Sequence, residues 1–384
     1  RPVTMARLQI ATHEQFLAEG GEITATISVG NPDVLAYDLV VVRTAIDPWL
    51  SIKHGDRPYV SPAPRGAIAD VPLHGEAVRW GRHALGPAVA RALACDGLMV
   101  SGPSIGAARN LKVYPVTEPF RADEAMPRAA GLVGGHRSRR PGEGGELAGV
   151  RVFGPGDRLR RIDWRVSLRT RQLHVAATLS DRDAEVVLLL DALTEAGRSG
   201  GVHGASSVLD TTVRAAAGIA EHYLDRGDRV SLLEYGFRLR RLRAGSGRRQ
   251  YLTTLEWLLD VKPSPSAYEP GGYSFGPHLL SSNALVMVLT PLVDPRSAGM
   301  LARLARAGRF VVAVDTLPRR LRVPVHGTWG RVAYQLWLLE RANTIGQLRE
   351  HGVPVVTWAG AGSLDQVLRD VARLAVAPRV GMRS

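Results

Sequence analysis

The chain has 384 residues, of which 45% are hydrophobic and 22% charged, a composition typical of a globular protein with two or three cores. Its single cysteine, Cys95, excludes an intramolecular disulfide and a metal site made of cysteines alone, and a reducing compartment is the natural interpretation. No run approaches the ~20 apolar residues that a membrane-spanning helix needs.

The formal net charge of +13 comes almost entirely from arginine, because Lys53, Lys112 and Lys262 are the only lysines among 49 basic residues. Such a charge bears on association and not on fold. We favour the interpretation that the basic surface faces solvent or lipid. The alternative is that this surface binds nucleic acid or another anionic partner.

Residues 1–120 alternate between short apolar runs and turn residues. The runs include Glu22–Val29, Asp38–Val42 and Leu111–Tyr114. Runs with a period of two at this spacing, without a long helical pattern, predict an antiparallel β-sandwich domain.

Residues 121–150 are rich in glycine, proline, arginine and glutamate. Such a segment cannot bury enough apolar area to offset the entropy lost on ordering. The composition therefore predicts a flexible linker or an exposed loop.

Strands and helices alternate from residue 184 to residue 384. The first strand, Glu185–Leu190, is a continuous apolar run of the kind that is buried on both faces of a parallel sheet. Repeated β-α units predict a doubly wound α/β domain with a parallel sheet. Further predicted strands are Arg229–Leu233, Ala284–Leu289, Phe310–Val314 and Val353–Trp358, and predicted helices are Val208–Leu224, Tyr251–Leu259, Ser297–Ala307, Trp329–Glu350 and one after Ser363.

A distinctive segment, residues 151–183, links the two predicted domains. Its order of residues, a Gly-Asp pair, arginines and an Ile-Asp-Trp triplet ahead of an apolar strand, resembles the domain-of-unknown-function family fifty-eight. The resemblance covers most of the chain, and it implies an immunoglobulin-like sandwich followed by a von Willebrand factor A-like domain. The residues that carry it are Gly156, Asp157, Arg158, Arg161, Ile162, Asp163 and Trp164.

The resemblance also implies a function. Members of the family often accompany MoxR-type AAA ATPases and commonly carry one or two membrane helices upstream. We therefore expect a non-enzymatic scaffold without a cofactor, anchored at the cytoplasmic side of a bacterial membrane and active in assembly or chaperone-like work with such an ATPase. Basic side chains would suit an anionic membrane surface there, at about 1 kcal/mol each.

The linking segment has two interpretations. In the favoured one, Trp164 is a buried anchor and pairs such as Asp157 with Arg158 form a latch between the domains. In the alternative, Arg158, Arg161 and their neighbours form an anion-binding surface, because guanidinium groups suit bidentate recognition of phosphate or carboxylate. That alternative makes the chain an anion or nucleic-acid binding module, with nucleic acid the less favoured ligand.

Asp191 ends the first strand of the α/β domain, at the sheet edge where ligands bind in this class of fold. The resemblance implies an Asp-x-Ser-x-Ser loop at this place, which binds magnesium together with a threonine and an aspartate from later loops. Here the loop reads Asp191-Ala192-Leu193-Thr194-Glu195, so both serines are missing. Asp191, Thr194 and Glu195 remain as candidates for a degenerate site, but magnesium requires an octahedral shell of oxygens. The favoured interpretation of Asp191 is a turn or capping carboxylate, with no metal bound.

Sequence motifs of known catalytic sites are either incomplete in this chain or excluded by the residues around them. Gly102–Gly106 has the letters of a nucleophile elbow, but an extended run follows it where a helix is required. No Gly-Lys dipeptide exists for a Walker A loop, and the histidines have no spacing typical of zinc ligands. The arginine-rich run Arg238–Arg243 alternates with leucine and predicts an edge strand with a charged outer face.

Overall fold

A computed structural model describes residues 7–12, 16–117, 141–154, 162–179, 185–237, 240–264, 280–281, 284–318 and 327–358. The chain forms two compact units. The first contains Arg1–Val116, Arg198–Ser206 and Leu255–Asp260, and the second contains Thr117–Gly197, Ser207–Thr254 and Val261–Ser384. The two short later segments of the first unit fall inside the region predicted as the α/β domain.

The first unit consists of β-strands. They are β1 (Arg7–Thr12), β2 (Leu17–Ala18), β3 (Glu22–Gly30), β4 (Tyr37–Ile46), β5 (Leu50–Ile52), β6 (Tyr59–Ala63), β7 (Ile68–Ala77), β8 (Gly81–Ala94), β9 (Met99–Val100), β10 (Ser104–Ile105) and β11 (Arg109–Tyr114).

These strands form two sheets that share one core. One sheet has the order β1-β3-β7-β5, and the other has the order β2-β11-β8-β4-β6, with β9 and β10 also paired to β8. Alternate residues of β3, including Ile23 and Ile27, are buried against residues of β8 such as Leu85. The predicted β-sandwich is confirmed, and its described strand pairs are antiparallel except for β2 with β11.

The segment 255–260 is bound to the sandwich by an ionic cluster. The Glu256 carboxylate accepts hydrogen bonds from Lys112 Nζ at 2.8 Å and from the Tyr114 hydroxyl at 2.6 Å. Arg82 Nε donates to Asp260 Oδ1 at 2.7 Å. The Tyr114 hydroxyl is partly buried. Its pKa is raised to about 12, mainly by this burial and secondly by the hydrogen bond to Glu256.

Along the sequence, the sandwich strands are followed by β12 (Pro141–Val152), α1 (Trp164–Thr170) and β13 (His174–Leu179), which precede the main α/β sheet. The strands β12 and β13 pair in an antiparallel ribbon. The prediction of a linker over 121–150 is therefore wrong where this range pairs with β13, at Pro141, Gly142, Leu147, Gly149 and Val150. The remainder of that predicted linker, from residue 118 to residue 140, lies outside the described residues.

The second unit contains a mostly parallel sheet with helices between its strands. Its strands are β14 (Glu185–Asp191), β15 (Arg229–Tyr235), β16 (Arg241–Gly245), β17 (Ala284–Thr290), β18 (Phe310–Asp315) and β19 (Val355–Thr357), and its helices are α2 (Val208–Asp225), α3 (Gly247–Leu258), α4 (Pro295–Arg306) and α5 (Gly327–Glu350). The last turn of α3, from Leu255, belongs to the first unit.

The strand order of this sheet is β16-β15-β14-β17-β18-β19. Neighbouring strands pair in parallel except β16, which is an antiparallel edge strand as its arginine pattern predicted. Every residue of β14 is buried, which explains the unbroken apolar run from residue 186 to residue 190. The side chains of Val187 and Leu189 join a core with Met300 of α4 and Leu348 of α5. The predicted α/β unit is confirmed at this level, and the predicted helix after Ser363 lies outside the described residues.

Helix α2 begins with a capping box. The Ser207 hydroxyl accepts from the Asp210 backbone N–H, and the Asp210 carboxylate accepts from the Ser207 backbone N–H. Both donors are buried, so these bonds satisfy groups that a helix start otherwise leaves unpaired. Among the described residues, no helix is long and apolar enough to cross a membrane.

Candidate functional site

Asp191 lies at the point where the strand order of the sheet reverses. It is the last residue of β14, and β15 and β17 pair with β14 on opposite sides. In doubly wound folds, ligands bind at the carboxyl ends of strands at this switch point. The structure thus places Asp191 where the sequence predicted it.

The Asp191 side chain is 2% exposed, and internal donors occupy both of its carboxylate oxygens. Oδ1 accepts from the Leu193 backbone N–H at 3.1 Å, which makes a local turn. Oδ2 accepts from the Thr290 hydroxyl at 2.7 Å and from the Ser297 hydroxyl at 2.6 Å. The carboxylate therefore connects the ends of β14 and β17 to α4. The interpretation as a turn carboxylate agrees with this geometry.

Burial has the largest effect on the pKa of Asp191. The low-dielectric surroundings raise the pKa of Asp191, since they disfavour the charged form. The hydrogen bonds from Ser297, Thr290 and Leu193 act in the opposite direction, and the nearby charge of Asp294 adds a smaller increase. Asp191 is thus a buried side chain held by three hydrogen bonds within its own unit.

Arginines neutralise two further carboxylates at the same edge of the sheet. Asp294 caps the N-terminus of α4 and pairs with Arg296, whose Nη2 lies 2.6 Å from Oδ2. Asp315 ends β18 and pairs with Arg341 of α5, whose Nη2 lies 2.6 Å from Oδ1. The Arg296 hydrogen bonds are the main cause of the lowered pKa of Asp294. Each carboxylate is therefore balanced by a cation of the same chain.

These residues do not fit a magnesium ion. Leu193 is buried and carries no ligand atom, and the Glu195 side chain accepts from the Leu209 backbone N–H at 3.3 Å at the start of α2. Thr194 is half-buried and makes no hydrogen bond to Asp191. Within the described part of the chain, no three His, Cys, Asp or Glu side chains cluster as metal ligands do. The hydroxyls of Thr290 and Ser297 donate to the carboxylate that magnesium would need.

Sequence reasoning missed Ser297 and Arg341 as partners at this edge. Ser297 was predicted only as the start of a helix. The one available signal is Asp294-Pro295, which combines a capping residue with proline at the first helical position and places Ser297 in the first turn of α4.

The linking segment differs from its favoured interpretation. Asp163 caps α1, since its side chain accepts from the Val166 backbone N–H at 3.1 Å. Ile162 bridges to Val175 of β13. Trp164, however, is 62% exposed, so the prediction that it is a buried anchor is wrong. A helix of only seven residues docked through Ser167 leaves the ring at its first position in solvent. The other candidates lie outside the described residues: Gly156, Asp157, Arg158 and Arg161.

Residues 149–330 match the family model described as "Protein of unknown function DUF58". The matched range includes the linking segment, whose residues carried the resemblance in the sequence, and also Asp191. It covers slightly less than half of the chain and excludes the β-sandwich. The DUF58 match is thus narrower than the predicted resemblance, which extended over most of the chain.

Curated relatives come from mycobacteria. They include uncharacterized proteins of Mycobacterium bovis and of two strains of Mycobacterium tuberculosis, each 28% identical over 201 residues. The match spans 50% of this chain and 62% of each relative.

Solved structures resemble about a third of the chain at low scores. A CARDB domain from Pyrococcus furiosus has 10% identity and a TM-score of 0.21, covering 29% of this chain and 97% of that domain. A cohesin module from a Clostridium perfringens glycoside hydrolase has 15% identity and a TM-score of 0.21, covering 30% of this chain and 100% of the module. Such scores are too low to assign a fold.

Exposed arginines follow Trp164 on α1. Arg165 and Arg169 of α1 are exposed, and neither pairs with a carboxylate in the described part of the chain. A second group on β16 and α3 contains Arg243, Arg248 and Arg249, all exposed. The exposed tryptophan accompanies the first group.

Proposed function

We propose that this chain is a non-enzymatic protein-interaction scaffold that works with a MoxR-type AAA ATPase in assembly or chaperone-like processes. It acts at the cytoplasmic side of a bacterial membrane, to which helices upstream of residue 1 anchor it. In this proposal the sandwich is immunoglobulin-like, and the second unit is a von Willebrand factor A-like domain that has lost its metal site.

The topology of the second unit supports the von Willebrand factor A-like assignment. Numbered within this sheet, its strands have the order 3-2-1-4-5-6, the classic doubly wound arrangement. The third strand, β16, is short and antiparallel. A dinucleotide site is disfavoured because the turn after β14 reads Ala192-Leu193-Thr194 and lacks the glycines that let a pyrophosphate approach.

One observation carries the scaffold proposal: the switch point is closed by internal bonds. The buried Asp191 carboxylate accepts hydrogen bonds from two hydroxyls and a backbone N–H, and Asp294 and Asp315 are paired with arginines. The polar groups at the usual ligand position therefore stabilise the unit itself. Binding of a partner then depends on shape and charge elsewhere on the surface.

The proposal is tested by direct binding of the purified chain to a purified MoxR-type ATPase from the same host. We expect a complex at both 0.05 M and 0.5 M salt, roughly the range over which purely ionic contacts lose most of their affinity. A matched assay with an unrelated AAA ATPase is the control. The absence of a complex with the MoxR-type ATPase at both salts would refute the partnership.

A second candidate function is anion binding through α1. The specific observation is that Trp164 is exposed beside the exposed Arg165 and Arg169. An aromatic ring for stacking and cations for the backbone are the two parts of a single-strand nucleic-acid platform. This arrangement favours the alternative over the latch.

Replacing Arg165 and Arg169 by serine should then weaken binding to a single-stranded oligonucleotide. Because each phosphate contact contributes a slope of about −0.7 for single strands, the double variant should reduce the slope of log affinity against log salt by about 1.4. The measurement is fluorescence anisotropy across a salt series. The control replaces Arg57 and Arg65, which are exposed arginines of the sandwich. Equal losses in both variants would show only a general charge effect.

A further inference from the structure

Among the described residues, the buried and ion-paired contacts of helix α5 with its unit lie on one face. It has 24 residues and is about 36 Å long. Leu348 is buried in the core of the second unit, Ile345 packs against that core, and Arg341 binds Asp315 and the Pro291 carbonyl oxygen. These contacts all lie in the C-terminal half of the helix.

The opposite face of α5 carries a row of exposed apolar residues, which we call the outer stripe. Leu339 is nine residues from Leu348, which is two and a half helical turns, so the two side chains point in opposite directions. Spacings of three and four residues place the members of the stripe on one face. They are Trp329, Val332, Leu336 and Leu339, with exposed fractions of 84%, 40%, 61% and 67%.

A helix that is apolar on both faces is normally buried on both. Contiguous exposed apolar side chains, and a tryptophan in particular, mark interaction surfaces in soluble proteins. The docked face of α5 explains Ile345 and Leu348 but not the four residues of the outer stripe. The stripe therefore needs an occupant of its own.

The charges around the stripe decide the class of occupant. The side chains beside it, Ala333 and Gln335, are uncharged and exposed. The closest charged groups on the same stretch are one cation, Arg331, and one anion, Glu340, which balance each other. An anionic lipid surface or a nucleic acid selects for a basic margin, which this helix lacks. The complement of a neutral apolar stripe is another neutral apolar stripe.

We propose that the outer stripe binds the outer stripe of a second copy of this chain, with the two α5 helices antiparallel. The spacing from Trp329 to Val332, to Leu336 and to Leu339 is three, four and three residues, which is the same in both directions. A two-fold axis then sets Trp329 against Leu339 of the other copy and Val332 against Leu336. Such a self-complementary contact is what closed two-fold symmetry requires.

The size of this contact predicts weak and salt-dependent association. Four side chains on three turns cover well under the ~800 Å² per partner of a standard interface, so dimers should form only at high protein concentration. Each copy carries a formal net charge of +13, and the two copies repel each other. Because salt screens that repulsion, the dimer fraction should increase from 0.05 M to 0.5 M salt. Binding to an anionic partner has the opposite salt dependence.

Sedimentation velocity of the chain over a concentration series at both salts tests the proposal. We expect dimers in the wild type and a loss of at least tenfold in association constant for Leu336→Glu. The matched control is Leu252→Glu on α3, which introduces the same charge at a similarly exposed leucine, 47% accessible, and should leave dimerisation unchanged. Monomers at every concentration, or dimers that Leu336→Glu does not affect, would overturn the proposal.

The orientation is tested by disulfide trapping in a Cys95→Ser background, because Cys95 is the only cysteine and is exposed. Val332→Cys and Leu336→Cys proteins, labelled with different masses, are mixed and oxidised. Antiparallel pairing gives mostly the mixed disulfide, whereas parallel pairing gives mostly disulfides between identical variants. A monomeric chain that binds neutral phosphatidylcholine vesicles, and loses this binding in Leu336→Glu, would instead assign the stripe to lipid and refute the second copy.

Discussion

Replacing Asp191 by alanine should lower the free energy of unfolding of the second unit by about 3 kcal/mol. The substitution leaves the Leu193 backbone N–H and the hydroxyls of Thr290 and Ser297 without their common acceptor in a buried site. Each unsatisfied buried donor costs about 1–3 kcal/mol, and removal of a costly buried carboxylate offsets part of that sum. Hydrogen exchange of peptides from β14 and β17 in increasing urea measures the effect in this unit alone.

A graded control belongs to the same experiment. Ser297→Ala removes one of the three donors and keeps the acceptor, so it should cost only about 1 kcal/mol. Millimolar magnesium or manganese should not change the melting temperature of the wild type. A metal-induced increase in melting temperature that Asp191→Ala abolishes would mean that Asp191 is a metal ligand after all.

The second unit should also lose stability as the pH falls from about 6.5 towards 4. His222 of α2 is 8% exposed, and its burial, together with the positive charge of Arg226, lowers its pKa to about 4. Between its unfolded pKa and this value the unfolded chain binds more protons than the folded chain, so acid favours unfolding. Converting the full pKa shift of His222 into free energy overstates the loss of stability, because the imidazole ring retains partial contact with solvent. We expect about 2 kcal/mol.

His222→Gln should flatten this part of the stability profile, because glutamine does not titrate. Urea unfolding at pH 7.5, 5.5 and 4.5, followed by hydrogen exchange of α2, provides the comparison. His351→Gln, at an exposed histidine of the same unit, should retain the acid sensitivity of the wild type. If His222→Gln and the wild type lose stability in parallel, another group is responsible.

Local patterns predicted several strands of both units, because burial on one face or both is recorded in the spacing of apolar residues. The strand Glu185–Asp191 is apolar from residue 186 to residue 190 since it is covered on both faces, and β3 alternates since only one face is covered. The antiparallel edge strand was also predictable, because its arginines alternate. The strand β12 was not, since it begins in a glycine-rich sequence and depends on β13 for its hydrogen bonds.

The partners of Asp191 could not be predicted from the sequence. Thr290 and Ser297 are 99 and 106 residues away along the chain, and only the strand order brings them to β14. The exposure of Trp164 was missed for a different reason. A tryptophan next to an Ile-Asp pair suggests a buried anchor, but the short helix α1 turns a different residue, Ser167, inward.

The discontinuity of the first unit affects the order in which the protein is completed during synthesis. Tyr114 bonds to a glutamate 142 residues later, and Arg82 bonds to an aspartate 178 residues later. A ribosome that has finished the sandwich strands has not yet made either acceptor. In the nascent sandwich, Arg82 and Lys112 therefore lack Asp260 and Glu256 as partners until translation has passed residue 260. An expression clone that stops at residue 116 keeps that unfinished surface permanently.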